Sequence, residues 1–176
     1  MVVAGNSASS NLEGFVYTAM NAFAQAAVTF TSQNTGAGKP ERVRAGIKSA
    51  TILGFVWSLV AFFLLYFGGA ALVRMITDSD TFVIGTAVKY LRINVPFYAF
   101  LCILCFFRST LQGLGQKIIP VIASIIELSG KAIIVFVLVP RMGYLAVCIC
   151  EPILWILSGI LVSVPMYRFY LTKNVL

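Results

Sequence analysis

Residues 118–139 read IIPVIASIIELSGKAIIVFVLV, an apolar run interrupted by two charges. A helix of this run, at about 1.5 Å per residue, crosses a hydrocarbon core of roughly 30 Å. The charges, Glu127 and Lys131, lie four residues apart near the middle of the run. An ionisable side chain at that depth is costly and normally belongs to a pair or a functional site. The run therefore predicts a membrane helix that carries functional residues.

Four more runs of similar composition predict further membrane helices. They cover residues 12–34, 48–73, 93–113 and 143–167. The whole chain is 60% hydrophobic and has a mean hydropathy of +0.94. Backbone groups inside a bilayer must be paired, and these runs are too long and too weakly alternating for barrel strands. We therefore predict an all-α polytopic membrane protein whose five transmembrane helices form a single bundle over residues 1–176.

The charged residues argue against several function classes. Thirteen Lys and Arg against six Asp and Glu give a net charge of +7, but the basic residues cluster between the spans, where anionic lipid head groups account for them. We therefore expect the lipid bilayer as a partner and no nucleic acid. The sequence contains no histidine, and we find no metal-ligand cluster and no serine beside a base. We expect no enzyme and no bound cofactor or metal.

The basic residues also predict the orientation in the membrane. With five alternating spans, one side receives eight of them: Lys39, Arg42, Arg44, Lys48, Arg108, Lys117, Arg168 and Lys173. The other side receives four: Arg74, Lys89, Arg92 and Arg141. Cytoplasmic loops carry the excess of Lys and Arg, so we predict a multi-pass protein of the cell membrane with its C-terminus cytoplasmic and its N-terminus outside. Apolar residues near helical spacing within 74–92 predict a short helix on the outer surface.

Two turns on the predicted cytoplasmic side have similar sequences. One reads NTGAGK at 34–39 and the other QGLGQK at 112–117. In each, a polar residue ends a helix, two glycines allow tight or left-handed backbone, and a lysine can meet the head groups. A phosphate-binding loop needs Gly-x4-Gly-Lys-Ser/Thr, whereas Lys39 is followed by Pro40. We therefore predict helix C-caps and no nucleotide site.

The first turn also carries a family resemblance. Its residues are Gln33, Asn34, Thr35, Gly36, Ala37, Gly38 and Lys39, followed by Glu41, Arg42 and Val43. This run resembles the signature after the second helix of each half in the MATE family of multidrug and toxic compound extrusion antiporters. Supporting similarities are Tyr90-Leu91-Arg92-Ile93, Leu111-Gln112-Gly113-Leu114-Gly115, and Glu151-Pro152 with Trp155. The resemblance covers nearly the whole chain.

The resemblance implies an architecture and an activity. Members of this family have twelve spans in two six-helix bundles and exchange cationic or amphipathic organic compounds for Na⁺ or H⁺. The chain resembles most of the second bundle without its first helix, which implies a fragment whose N-terminal bundle lies in the same or another chain. Some members place a carboxylate in the middle of the helix that corresponds to 93–113, but residues 100–104 are apolar here.

Three charged residues are candidates for binding a coupling cation or a substrate. Glu127 and Glu151 both fall near mid-depth of neighbouring antiparallel spans. A carboxylate there can hold Na⁺ or H⁺ and can attract a cationic substrate that competes with the ion. Alternatively, Glu127 and Lys131 share a helix face and neutralise each other, or Lys131 pairs with Glu151 across the helices. Pro152 is expected to free a backbone carbonyl one turn earlier.

The first span presents a polar face that offers a second set of candidates. Tyr17, Asn21 and Gln25 recur at four-residue spacing, so their side chains lie on one side of the helix. They either line a cavity and hydrogen-bond to substrate or bond to neighbouring helices.

Three functions are compatible with the sequence. The first is a cation-coupled antiporter that exports organic cations or drugs by alternating access, with this chain as part of its C-terminal half. The second is a lipid-linked oligosaccharide flippase of the related superfamily, which requires a strongly cationic cavity. The third is a nontransporting membrane partner or scaffold.

Overall fold

The computed structural model describes residues 2–77 and 81–171, and the side chains of residues up to 169. Lys173 lies outside the described residues. The helices are α1 (Val2–Gly36), α2 (Pro40–Ile76), α3 (Thr81–Asn94), α4 (Tyr98–Gly113), α5 (Ile118–Ile133), α6 (Val139–Met142) and α7 (Tyr144–Leu171). A 3-10 turn, Val95–Phe97, joins α3 to α4, and a π-helical segment, Ile134–Leu138, joins α5 to α6. The described part of the chain is helical and contains no strand, which confirms the predicted all-α class.

Four continuous helical stretches in the described residues are long and apolar enough to cross a membrane. They are Pro40–Ile76, Thr81–Gly113, Ile118–Met142 and Tyr144–Phe169. Helix α1 has 35 residues but is more polar than these four. Most predicted spans end before the helices do, because a helix continues beyond the apolar run into its polar flanks.

The prediction of a short surface helix within 74–92 is wrong, because the helix found there, α3, packs inside the bundle. Its face with Val83, Ala87 and Leu91 is buried, and it packs against α1 and α2. It also continues through the 3-10 turn into α4, where Pro96 lacks the N–H that a regular helix requires. The apolar spacing was compatible with lipid contact, but these side chains contact neighbouring helices instead.

The two similar turns have the same backbone geometry, which confirms the predicted C-caps. In the first, the N–H groups of residues 37, 38 and 39 donate to the carbonyls of 33, 35 and 34 at 2.9–3.0 Å. In the second, those of 114, 115 and 116 donate to 110, 112 and 111 at the same distances. The residues with positive φ, Gly38 (65°) and Gly115 (81°), occupy equivalent positions. This is the Schellman pattern that ends a helix.

Helix α1 packs against α2, α3 and α4, helix α4 also contacts α2, α5 and α7, and α5 packs mainly on α7. Large apolar side chains are exposed along α2, α5 and the π-helical segment, including Phe63, Phe67, Leu128 and Phe136. Such faces suit contact with lipid or with further membrane helices. The π-helical segment precedes Pro140, whose missing N–H cannot bond to the carbonyl of Phe136.

Candidate functional site: a charged cavity between four helices

A cavity of about 310 Å³ lies between α1, α4, α5 and α7. Its lining consists of Tyr17, Asn21, Leu101, Leu104, Cys105, Arg108, Glu127, Lys131, Glu151 and Trp155. Five of the six residues predicted from the sequence therefore share one cavity. The sixth, Gln25, is exposed and does not line it. The four-residue spacing on α1 placed Gln25 on the correct side of the helix, but the cavity ends one turn earlier.

Lys131 pairs with Glu151 across the interface of α5 and α7. Its Nζ lies 2.8 Å from Glu151 Oε1. The side chain of Lys131 is 47% exposed and that of Glu151 is 24% exposed. This contact agrees with the cross-helix alternative. Glu127 and Lys131 share the face of α5 that lines the cavity, as predicted. Among the described contacts, however, each forms its ion pair with a residue of another helix.

Glu127 pairs instead with Arg108 of α4. Arg108 Nη1 lies 3.5 Å from Glu127 Oε2, and Arg108 Nη2 also donates to Ser124 Oγ. Glu127 Oε1 is buried and has no hydrogen-bond partner among the described residues. Arg108 follows the apolar residues 93–107, so its side chain is expected to reach either the membrane interface or a wet cavity. The structure places it in the cavity, with Glu127 as its counter-ion.

Pro152, next to Glu151, removes one backbone hydrogen bond from α7, and a side chain of α3 replaces it. Because proline has no N–H, the carbonyl of Cys148 loses its helical donor. The buried Asn94 side chain supplies one: its Nδ2 lies 3.1 Å from Cys148 O and 3.0 Å from Tyr90 O. The freed carbonyl predicted from the sequence is therefore satisfied by α3, and this contact holds α7 in place beside the carboxylate.

Aromatic rings form the wall of the cavity next to Glu151. The ring of Trp155 meets that of Tyr17 at a centroid distance of 6.4 Å and an interplanar angle of 63°. It meets the ring of Tyr98 at 6.0 Å and 57°. These edge-on and tilted contacts are favourable for aromatic pairs. Tyr17 and Trp155 line the cavity, and the buried Tyr98 packs against Trp155 from behind the lining.

A third carboxylate, Glu13, lies behind this wall. Its side chain is 7% exposed. Tyr90 OH donates to Glu13 Oε2 at 3.1 Å, and Tyr98 OH donates to Glu13 Oε1 at 3.2 Å. Glu13 stands at the edge of the predicted span 12–34, so the sequence did not mark it as a candidate. Extending the polar face of Tyr17 back by one turn would have found it.

The arrangement balances charge within the cavity. Two carboxylates face two cations, and each pair joins α5 to a different neighbour. A pair that stays partly exposed can open when a charged solute competes for one partner, whereas a fully buried pair is held more strongly. The cavity can therefore receive a cation on a carboxylate, or an anion on Arg108 or Lys131, next to aromatic rings that favour organic cations.

Comparison with known proteins supports the resemblance in the sequence. The family described as MatE matches residues 1–138, which is 138 of 176 residues. The matched part includes the first turn and all of α1 to α5. No curated protein and no solved structure matches the chain.

Proposed function

Because the chain belongs to the MatE family, whose members are multi-pass membrane transporters, we propose that it serves an antiporter that exports organic cations or drugs in exchange for Na⁺ or H⁺. The observation that carries the proposal is the cavity itself. It brings the Glu127 and Glu151 carboxylates to one aromatic-walled space of about 310 Å³. A space of this size suits a small organic molecule.

In this proposal a cationic substrate enters by competing with the protein's own cations. Its charged group displaces the Lys131 ammonium from Glu151, or the Arg108 guanidinium from Glu127, and its apolar part packs on Tyr17 and Trp155. The coupling cation drives release by competing for the same negative charge. Access alternates as this bundle moves against a facing bundle, which the same or another chain supplies.

The test is gradient-driven efflux of a fluorescent organic cation from vesicles that contain the protein in its full encoded length. Glu151→Gln and Glu127→Gln should each lower the initial rate at least tenfold, because a neutral amide neither attracts the cation nor retains the coupling ion. Glu41→Gln is the matched control, since Glu41 is 85% exposed at the start of α2 and its partner Arg44 lies on the same helix. Full exchange in both cavity variants would remove the carboxylates from the mechanism.

A lipid-linked oligosaccharide flippase is the second candidate, and Arg108 favours it. The cavity contains two cations, Arg108 and Lys131, one more than the sequence indicated. Guanidinium and ammonium groups bind phosphate well, as a lipid-linked pyrophosphate requires. Vesicle translocation of a fluorescent lipid pyrophosphate, without movement of the organic cation, would favour this activity. A protein that moves neither probe would be the nontransporting partner or scaffold.

We also propose that the two similar turns, at 34–39 and 112–117, face the cytoplasm of a cell membrane, with the N-terminus outside. The excess of basic residues near these turns supports this orientation. In a background without native cysteines, a cysteine at the exposed Ala37 should resist a membrane-impermeant maleimide in whole cells, whereas one at the exposed Met142, at the opposite end of the bundle, should react. The reverse labelling pattern would invert the orientation.

A further inference from the structure

Glu13 differs from the two cavity carboxylates because it has no cation as a partner among the described residues. Within residues 2–77 and 81–169, its two oxygens accept hydrogen bonds only from neutral phenols, Tyr90 OH and Tyr98 OH. Lys131 acts on it electrostatically, but the Lys131 ammonium is bound to Glu151 at 2.8 Å. An ionised carboxylate with 7% exposure and no counter-ion is costly in a low-dielectric interior. Either a bound proton or a bound cation removes that cost.

The geometry around Glu13 favours a proton over a metal cation. Both carboxylate oxygens already have a phenol at 3.1–3.2 Å, and the surrounding α1 residues Ser9, Leu12 and Val16 are buried. A Na⁺ ion prefers several oxygen ligands around it, and the described contacts supply one carboxylate and two phenols, whose hydrogens point at the carboxylate. A proton needs only one oxygen and no additional space.

We propose that Glu13 is a proton-binding site, separate from the substrate cavity, and that its loading is transmitted to the cavity through the Tyr98–Trp155 ring contact. One proton adds to a carboxylate oxygen, and no other covalent bond forms or breaks. The new O–H must donate, so the phenol that faces that oxygen turns from donor to acceptor. If the oxygen is Oε1, the phenol is that of Tyr98, whose ring contacts Trp155 in the cavity wall.

The arrangement allows both protonation states to exist in turn. Two phenol donors stabilise the ionised form, and burial without a counter-ion favours the neutral form. The titratable groups that act on Glu13 come from every helix around it: Tyr17 of α1, Tyr90 of α3, Tyr98 of α4, Lys131 of α5, and Tyr144 and Glu151 of α7. Glu151 is the only other carboxylate among them, and it has Lys131 as its counter-ion.

Infrared difference spectroscopy between acid and alkaline buffer tests proton binding directly. The reconstituted full-length protein should show the carbonyl band of a protonated carboxyl group that disappears on alkalinisation. Glu13→Gln should abolish this band, whereas the double variant Glu127→Gln/Glu151→Gln should keep it. Tyr98→Phe should shift its frequency, because it removes a hydrogen bond to the same group. Circular dichroism establishes that each variant remains helical.

Two results would overturn the proposal. The band could persist in Glu13→Gln, which would assign it to another carboxyl group. It could also be absent from the wild type at every pH tested, while the Tyr98→Phe variant behaves like the wild type, which would mean that Glu13 does not exchange a proton. Neither readout requires transport, so the proton-binding claim stands or falls without the antiport proposal.

The coupling role of Glu13 rests on the proposed antiport function and has its own test. Glu13→Gln should still exchange labelled for unlabelled substrate at equal concentrations across the vesicle membrane, because the cavity is intact. In Glu13→Gln, the acceleration of export by a proton gradient should be at least tenfold smaller than in the wild type. Loss of both activities would mean that Glu13 is needed for the bundle itself, and retention of gradient-driven export would exclude it from coupling. A wild type without any exchange would refute the antiport function and leave the infrared result valid.

Discussion

The substitution Gly5→Ala tests how closely α1 packs against α3. A Cβ at this position lies 2.7 Å from Thr86 Cβ and 2.8 Å from Val83 O, whereas nonbonded carbon atoms prefer about 3.5–4.0 Å. One of the close atoms belongs to the backbone of α3, so rotation of a side chain cannot remove the clash. The helices must separate by about 1 Å, and overpacking of this kind costs about 1–3 kcal/mol. Alanine also gains up to about 1 kcal/mol in a helix relative to glycine.

Gly14→Ala on the same helix separates these two effects. No atom lies within 4 Å of a Cβ at Gly14, so this variant has the helix gain without the clash. The free energy of unfolding should therefore be about 1–3 kcal/mol lower for Gly5→Ala than for Gly14→Ala. Unfolding of the purified protein by SDS in mixed micelles, monitored by tryptophan fluorescence, gives both values. Equal stability of the two variants would show that α1 and α3 do not approach so closely.

Three further predictions concern the cavity and one turn. In a double-mutant cycle of Lys131→Gln and Glu151→Gln, the coupling energy should be about 0.5–3 kcal/mol in SDS unfolding, and a value near zero would mean that the pair does not form. Gly143 has φ 60° and ψ −138°, a conformation that essentially only glycine adopts. Gly143→Ala should therefore lower the free energy of unfolding by about 1–3 kcal/mol. An unchanged unfolding midpoint would contradict the backbone conformation at Gly143. In the Trp57→Phe variant, Trp155 is the remaining tryptophan, and its emission should change when an organic cation is titrated into the protein; saturable transport without any change in emission would place the substrate elsewhere.

Elements that depend on local sequence were predicted well. The apolar runs around Lys48 to Arg74 and at 118–139 form helices, because a helix satisfies its own backbone within each run. The two glycine-containing turns form helix caps, since Gly38 and Gly115 permit positive φ at the required position. The spacing of Tyr17 and Asn21 placed them on one face, and that face lines the cavity.

Predictions that required a partner from another helix were less complete. Glu127 and Lys131 are one turn apart, which makes a contact possible but does not decide it against competitors. The competing partners are Arg108 and Glu151. Both lie on other helices, and the spacing of residues along α5 does not show where those helices pack. The segment 74–92 was assigned to the outer surface for the same reason, because an apolar helix face predicts burial without identifying what covers it.

The sequence by itself determined that this chain is an all-α polytopic membrane protein with charges inside its apolar runs, since helix formation and membrane insertion depend on runs of neighbouring residues. Its family membership also follows from the sequence, because the MatE family matches residues 1–138. Only the tertiary structure decided which charges pair and that Glu13 is enclosed by phenols. The hydrogen bonds to Glu13 join residues 77 and 85 positions apart, and they form because α1 packs along α3 and α4.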